Sequence, residues 1–540
     1  MRTSSMQPLL AAVSLMGVDS VAAALYKSVL NTNYGPVQGY PAFNSSPAGN
    51  TVTNWADVAV FKNIPYGADT SGKNRWKAPQ PVTPWNTTRD AKEFGLTCPG
   101  ESGSGYAYGE DCLSVNIWTA AKSTSDGLPV ILWHHPAGGS GPDPLFDGAG
   151  MASKGVVFVN CNRRDGPLGW LGHPQLNEEM MATFGTNSSG NWGLLDEFAA
   201  LNWTYHNIAS FGGDPKRITV VGQSAGSAAV YHTVNSDLTK GQIFAAIAES
   251  GVRDPRDPLA TSLAEGYNNL SYTLSTGIAY LAANNLTTID ELRQVPLADL
   301  LDGNSSSVGP TSISYNFRPT LDYWAMPRKY IDQLHTGPGN DVPFMTGNTK
   351  DESGAAYGLN ITVADYLEKM QDQYGNLTSQ ALKLYPYSND TQASMSYNAM
   401  WRDTSLVSSW GFAKGWRSSA KSEIYTYYWD HAPPGQDMGA HHESEINYAL
   451  NNLYGTDLPW QAEDYDIAER LSSYWANFAK TGDPNKGSSY TGNGTLTPYY
   501  PSPANETITM HVGNGWGMVP IANGEQVKFL ESYFALQTPL

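Results

Sequence analysis

Ile218-Thr219-Val220-Val221-Gly222-Gln223-Ser224-Ala225-Gly226-Ser227 is the stretch on which the reading of this chain turns. Four residues of strand character run directly into Gly-x-Ser-x-Gly, and Ala228-Ala229-Val230 then opens a helical pattern. A strand that turns this sharply into a helix crowds its own corner. Only small residues fit beside the serine there, and the strained turn pushes the hydroxyl out above the sheet edge. The helix N-terminus behind Ser224 favours negative charge nearby. A bare Gly-x-Ser-x-Gly arises by chance, but between a strand and a helix it reads as a nucleophile.

Outward from this turn, apolar runs rich in β-branched residues recur at 130–133, 156–161, 243–248, 342–345 and 423–429, with longer helical patterns between them. Runs that are apolar throughout belong to strands buried on both faces, as in a largely parallel sheet between helices. The expectation is therefore an α/β fold with a large, mostly parallel central sheet flanked by helices. One helix is predicted over about 194–208. A second is predicted over about 465–480, with Ile467, Leu471, Tyr474, Trp475 and Phe478 on one stripe. Gly482 and Pro484 should end it. Polar stretches at 303–314, 388–394 and 486–498 read as surface loops rather than linkers, because regular patterns resume on both sides.

The chain has 540 residues, 41% hydrophobic and only 15% charged, a composition that can bury a large core and excludes disordered and collagen-like classes. A formal net charge of −18 repels a phosphate backbone, so nucleic acid is excluded as a partner. Met1-Arg2-Thr3-Ser4-Ser5, the apolar stretch 8–17 and Val21-Ala22-Ala23-Ala24 follow the grammar of a secretory signal peptide. The expectation is a signal peptide at 1–24, a single domain at 25–540 and a secreted product. The apolar stretch is too short for a bilayer core of about 30 Å, and 527–540 is too charged and short for a lipid-anchor signal, so no stable membrane anchor is expected. Secretion makes sense of the dense Asn-x-Ser/Thr sites at Asn44, Asn86, Asn187, Asn202, Asn269, Asn285, Asn304, Asn360, Asn376, Asn389, Asn493 and Asn505, and N-linked glycans on the protein are expected, without a choice among the sites. Cys98 and Cys112 bracket a Gly/Ser/Tyr loop that suits a disulfide, whereas Cys161 ends an apolar run and reads as an inert core thiol.

A serine hydroxyl is a weak nucleophile at neutral pH; it needs a base within hydrogen-bond reach and an acid to orient that base. After a Gly-x-Ser-x-Gly elbow the chain order is serine, acid, histidine. The histidines beyond Ser224 are His232, His335, His431, His441, His442 and His511. His232 lies on the helix straight after the serine and cannot fold back. His441 and His442 sit in a loop after the strand ending at Trp429, where a base belongs. Asp351 and Glu352 follow the 342–345 strand in the same manner. Spacing alone separates neither Asp351 from Glu352 nor His441 from His442.

Several further stretches carry a resemblance. In order they are Phe61-Lys62-Asn63-Ile64-Pro65-Tyr66; Arg75-Trp76 with Pro81 and Trp85; Glu110-Asp111-Cys112-Leu113-Ser114-Val115-Asn116; Asn162-Arg163-Arg164 before Gly166; Asn191-Trp192-Gly193-Leu194-Leu195-Asp196; Phe211-Gly212-Gly213-Asp214-Pro215; and Tyr474-Trp475-Ala476-Asn477-Phe478-Ala479-Lys480-Thr481-Gly482-Asp483-Pro484. With the serine motif they resemble a type-B carboxylesterase of the cholinesterase-like α/β-hydrolase family over roughly 34–485. The resemblance implies loop and helical insertions over the active site and a serine ester hydrolase that works through an acyl-enzyme on small-molecule esters; that chemistry requires no cofactor and no metal. It puts the acid on Glu352, leaving Asp351 as a solvated neighbour. It puts the base on His442 in Gly439-Ala440-His441-His442-Glu443-Ser444-Glu445, with His441 a loop residue near the gorge wall. It also implies a Cys98–Cys112 disulfide and a buried Arg164–Asp196 ion pair.

Two departures from the family pattern bear on chemistry. Where the family carries His-Gly-Gly-Gly, this chain has His134-His135-Pro136-Ala137-Gly138-Gly139. Aligning His135 with the family histidine puts Pro136, which has no N–H, where no donor is required. Ala137 and Gly138 then join Ala225 as oxyanion-hole donors. A shift of one residue would use Gly138 and Gly139. Gln223 stands where choline-ester hydrolases carry glutamate, and the short 98–112 loop lacks their choline-stacking tryptophan. That loop is also too short for the lid of an interfacial lipase, so small to medium esters are expected; Tyr106 and Tyr108 on it are candidates for the entrance. The alternatives are a transesterase acting on a natural product, a lipase, or a non-catalytic binding member of the family.

Overall fold

A computed structural model describes residues 24–50, 52–100, 105–302, 315–503 and 505–540. The expected signal segment, Ala24 excepted, and the stretch 303–314 lie outside the described residues.

Eleven strands form one sheet. In chain order they are β1 (Tyr40–Pro41), β2 (Ala59–Pro65), β3 (Ser114–Thr119), β4 (Leu128–His134), β5 (Val157–Cys161), β6 (Gly213–Gln223), β7 (Ala245–Glu249), β8 (Phe344–Thr349), β9 (Ile424–Trp429), β10 (Ile508–Val512) and β11 (Gly517–Pro520). The spatial order is β11-β10-β9-β8-β7-β6-β4-β5-β3-β2-β1. From β10 across to β5 every neighbour runs parallel, and the remaining pairs are antiparallel. Every residue of β5, β7 and β8 is buried. Such strands need apolar or internally satisfied side chains on both faces, which is why they read as unbroken apolar runs.

Alternation along a strand sorts those side chains into two cores. Val130 and Leu132 of β4 point into one, and Ile131 and Trp133 into the other. Helices α1 (Trp192–Asn207) and α2 (Ala225–Asn235) cover the first face, joined by Phe412 and Trp416 of the long α3 (Asp390–Ser419). Helix α4 (Ala462–Thr481) covers the second with Ile467, Leu471, Tyr474, Trp475 and Phe478, the stripe predicted for it. Gly482 ends α4 in the left-handed conformation, φ 72°, and donates its N–H to Phe478 O at 2.7 Å.

One expectation is corrected here. Residues 388–394 are not a loop: Asn389 caps α3, its side chain accepting the N–H of Gln392 at 3.0 Å, and Ala393 and Ser394 are already buried. The polar residues at its start are a capping signal on an exposed first turn. Cys98 and Cys112 are disulfide-bonded, and Cys161 is a buried free thiol. The parallel strands end along one sheet edge, with His134 opposite Gly222 and Gln223 opposite Glu249. That edge is where ligands bind in open α/β sheets.

Candidate active site

Ser224 occupies the turn between β6 and α2 at φ 55°, ψ −118°, a conformation that a residue with a side chain holds only at a cost of about 1–3 kcal/mol. Its N–H donates to Glu249 O at 2.9 Å, and its carbonyl accepts the N–H of Ala228 at 3.1 Å, so both flanks of the turn are tied down. Gly226 is required by contact: a Cβ there would lie 2.0 Å from the carbonyl oxygen of His134. The serine is half-buried and its hydroxyl makes no hydrogen bond to the described residues.

Glu352 follows β8. Thr349 N–H and Asn348 Nδ2 donate to its Oε1 at 3.0 and 3.1 Å, which leaves Oε2 to hold His442 Nδ1 at 2.5 Å. The carboxyl is 2% exposed and the imidazole 40%, so the acid is sealed while the base reaches solvent. Burial alone would raise the pKa of Glu352, but the hydrogen bond and charge of His442, with Arg253 and Asn348 adding, bring it below the usual carboxylate range. Burial would lower His442, yet the bond and charge of Glu352, with Glu443 adding and Arg253 opposing, lift it above its ordinary 6.5.

Asp351 differs from expectation. It is buried, not solvated: Oδ1 accepts from Arg402 Nη2 at 2.5 Å and Oδ2 from the N–H of Ala440 at 3.0 Å, while its own N–H donates to Ala440 O at 2.9 Å. Asp351 thus clamps the loop that carries His442. The ring of His441 lies 3.3 Å from Gly439 O. Against His442 lies Gln223, whose Nε2 is 3.3 Å from the imidazole Nε2. The structure brings Glu352, His442 and Gln223 together and sets Ser224 next to Gln223; a direct bond from Ser224 to His442 is not formed. Hydrogen bonds of this kind are commonly long without substrate and tighten when it binds.

Beyond β4 the chain makes a tight turn. Gly139 donates its N–H to Pro136 O at 3.1 Å, and Gly138 sits at φ 79°. The N–H groups of Ala137 and Gly138 have no acceptor among the described residues, and both residues are exposed. Ala225 is the first residue of α2, where N–H groups lack an intrahelical partner. Ala137 and Ala225 line a common cavity of about 260 Å³.

The carboxylesterase family profile matches residues 26–526, past both ends of the stretch that carried the resemblance. This chain belongs to the carboxylesterase family. It is 32% identical to a fumonisin B1 esterase of Sphingopyxis macrogoltabida over 80% of each chain, and 30% identical to a para-nitrobenzyl esterase of Bacillus subtilis (strain 168) over 85% of this chain and 90% of that one. A solved PNB esterase superposes with a TM-score of 0.72 at 26% identity, covering 93% of this chain and 99% of the other. The fold is the α/β-hydrolase fold, and the protein is a carboxylesterase.

This carboxylesterase also holds acids that the sequence reading did not single out as a pair. Glu249 ends β7 with its Oε1 accepting Trp475 Nε1–H at 2.6 Å, and Glu445 is fully buried with neither oxygen bonded among the described residues. Burial drives Glu249 up to about 8 and Glu445 also upward, the latter pushed further by Glu249 and Glu352. The position of Glu445 three residues after His442 was the only signal; nothing local marks Glu249. Arg164 and Asp196 form the expected buried pair, with Nη2 and Nε at 2.7 and 2.8 Å from the two carboxylate oxygens. Tyr106 is half-buried and Tyr108 exposed. Among the described residues no cluster of side chains could hold a metal ion, and no helix is long and apolar enough to cross a membrane.

Proposed function

We propose that this carboxylesterase hydrolyses small to medium esters through an acyl-enzyme, with Ser224 as nucleophile, His442 as base and Glu352 as the acid that orients it. The observation that carries the reading is the 2.5 Å contact from a sealed Glu352 to an accessible His442 beside a strained serine. His442 takes the hydroxyl proton as Ser224 Oγ attacks the ester carbonyl. Ala137, Gly138 and Ala225 N–H groups stabilise the oxyanion. His442 then gives the proton to the departing alcohol, and a water molecule, deprotonated by the same imidazole, releases the acid and restores the serine. The bond from Gly139 to Pro136 supports Ala137 and Gly138 as the donor pair, since it occupies the N–H that the shifted alignment would use. Ser224→Ala should lower kcat by roughly four to six orders of magnitude with the fold intact. A serine-directed phosphonate should label the wild type and not the variant. Retention of most ester hydrolysis by Ser224→Ala refutes the assignment.

We further infer that residues 1–24 are a leader and that 25–540 act as one secreted unit. Every sequon asparagine outside 303–314 is exposed, as glycan attachment requires, and the disulfide fits an oxidising compartment. Expression through a secretory pathway followed by endoglycosidase digestion should lower the apparent mass, and the mature protein should begin near Leu25.

A further inference from the structure

The cavity shared by Ala137 and Ala225 is walled by apolar Leu194, Leu263 and Phe317, and also by Arg318. It is smaller than the usual ligand pocket of roughly 300–1,000 Å³. A substrate whose carbonyl oxygen sits at those two N–H groups has its acyl chain or its alcohol beside this wall, and a short acyl chain fits the volume. The charges on the wall decide what that chain can end in.

Of the other ionic groups on this wall, Arg163 and Glu197 pair with one another, whereas Asp165 keeps its negative charge on neutral N–H donors. Arg163 Nε lies 3.4 Å from Glu197 Oε1. Asp165 Oδ1 accepts the indole N–H of Trp170 at 2.5 Å and the N–H of Gly166 at 2.8 Å. His232 is buried against Tyr330, and burial pulls its pKa down to about 3, so it is neutral. Arg318 stands apart. It is half-buried, its Nη1 donates to Thr261 O at 2.9 Å, and no carboxylate lies within ion-pair distance of it among the described residues. Burial lowers its pKa, only partly offset by Tyr272 and Glu265, and Glu265 is itself held by Arg253 at 2.6 Å. A guanidinium with donors left over, set on an apolar wall, matches a carboxylate in charge and in planar fork geometry.

We propose that the cavity takes an acyl group ending in a carboxylate, as in a monoester of a short dicarboxylic acid, and that Arg318 is the residue that selects it. The inference rests on the assignment of Ser224 and the Ala137 and Ala225 donors above. With a net charge of −18 the protein as a whole repels an anionic substrate, so selection has to come from a local cation.

The test compares p-nitrophenyl glutarate, which carries a free carboxylate, with its uncharged methyl-capped analogue. The ratio of their kcat/KM values is measured on the full-length mature enzyme. Wild type should favour the anionic ester by about tenfold or more, Arg318→Gln should lower that ratio about tenfold to a hundredfold, and Arg318→Lys should restore part of it. A ratio near or below one in wild type, or one unmoved by Arg318→Gln, overturns the inference. Equal loss on both esters shows a merely structural arginine and also overturns it. Ser224→Ala run in parallel separates the two readings: if it abolishes both activities while the ratio ignores Arg318, only the acyl preference is wrong.

Discussion

Replacing Glu352 by glutamine changes one oxygen to an NH2 group, and the structure dictates where that group must go. Thr349 N–H and Asn348 Nδ2 both donate to Oε1, so the glutamine has to keep its oxygen there. The amide NH2 is then the group facing His442 Nδ1, where Oε2 now sits at 2.5 Å. An NH2 donates, so Nδ1 must accept, and the imidazole proton moves to Nε2. In that tautomer the nitrogen needed to receive a proton from Ser224 already carries one. The loss should resemble that of the equivalent change in a serine protease triad, about 10⁴-fold in kcat, or about 5.4 kcal/mol at 1.36 kcal/mol per tenfold. Stopped-flow and steady-state hydrolysis of a p-nitrophenyl ester, with circular dichroism to check the fold, measure it. A Glu352→Gln enzyme that keeps a tenth of its activity refutes the argument for Glu352 as the orienting acid.

The pH dependence follows from the same contact. As the proposed base His442 must be neutral, and Glu352 holds its pKa above the ordinary 6.5, so kcat/KM should fall as pH drops through a value above 6.5; a limb below pH 6 contradicts the pairing. Gly226→Ala would drive a methyl group to 2.0 Å from the His134 carbonyl oxygen and 2.9 Å from that of His135, against backbone rather than a flexible side chain. Overpacking typically costs about 1–3 kcal/mol, and here it also displaces Ser224, so Tm and activity should both drop; wild-type values for either would show that the turn relaxes freely. Replacing Cys98 and Cys112 together by serine opens a loop with a sequence separation of 14, worth about 3 kcal/mol. Thermal unfolding should show a clear loss of stability, and an unchanged Tm would mean that the loop is held by other contacts.

The sequence alone determined the parts of this protein that depend on near neighbours. Buried strands need apolar runs, a tight strand-to-helix corner needs glycines around its serine, and a capped helix needs its stop signal, so β4 to β9, the elbow and the end of α4 could be read directly. Where spacing could not choose between neighbours, only the resemblance to the family's motifs pointed to Glu352 over Asp351 and to His442 over His441. The start of α3 misled because a capping asparagine and a surface loop share the same polar residues, and only the packing of Ala393 and Ser394 distinguishes them.

What only the tertiary structure decided is the fate of charges and donors. Asp351 is a clamp because Arg402 and Ala440, 51 and 89 residues away along the chain, fold onto it. Glu249 at the end of β7 and Glu445 on the His442 loop, 196 residues apart in the chain, act on one another only in the folded protein. The N–H of Gly139 is taken up by a turn onto Pro136, and among the described residues no carboxylate comes within ion-pair distance of Arg318. Local sterics act over a few residues and leave a trace in the sequence. Electrostatic environment is set by whatever segments meet in space, and it becomes legible only once the chain has folded.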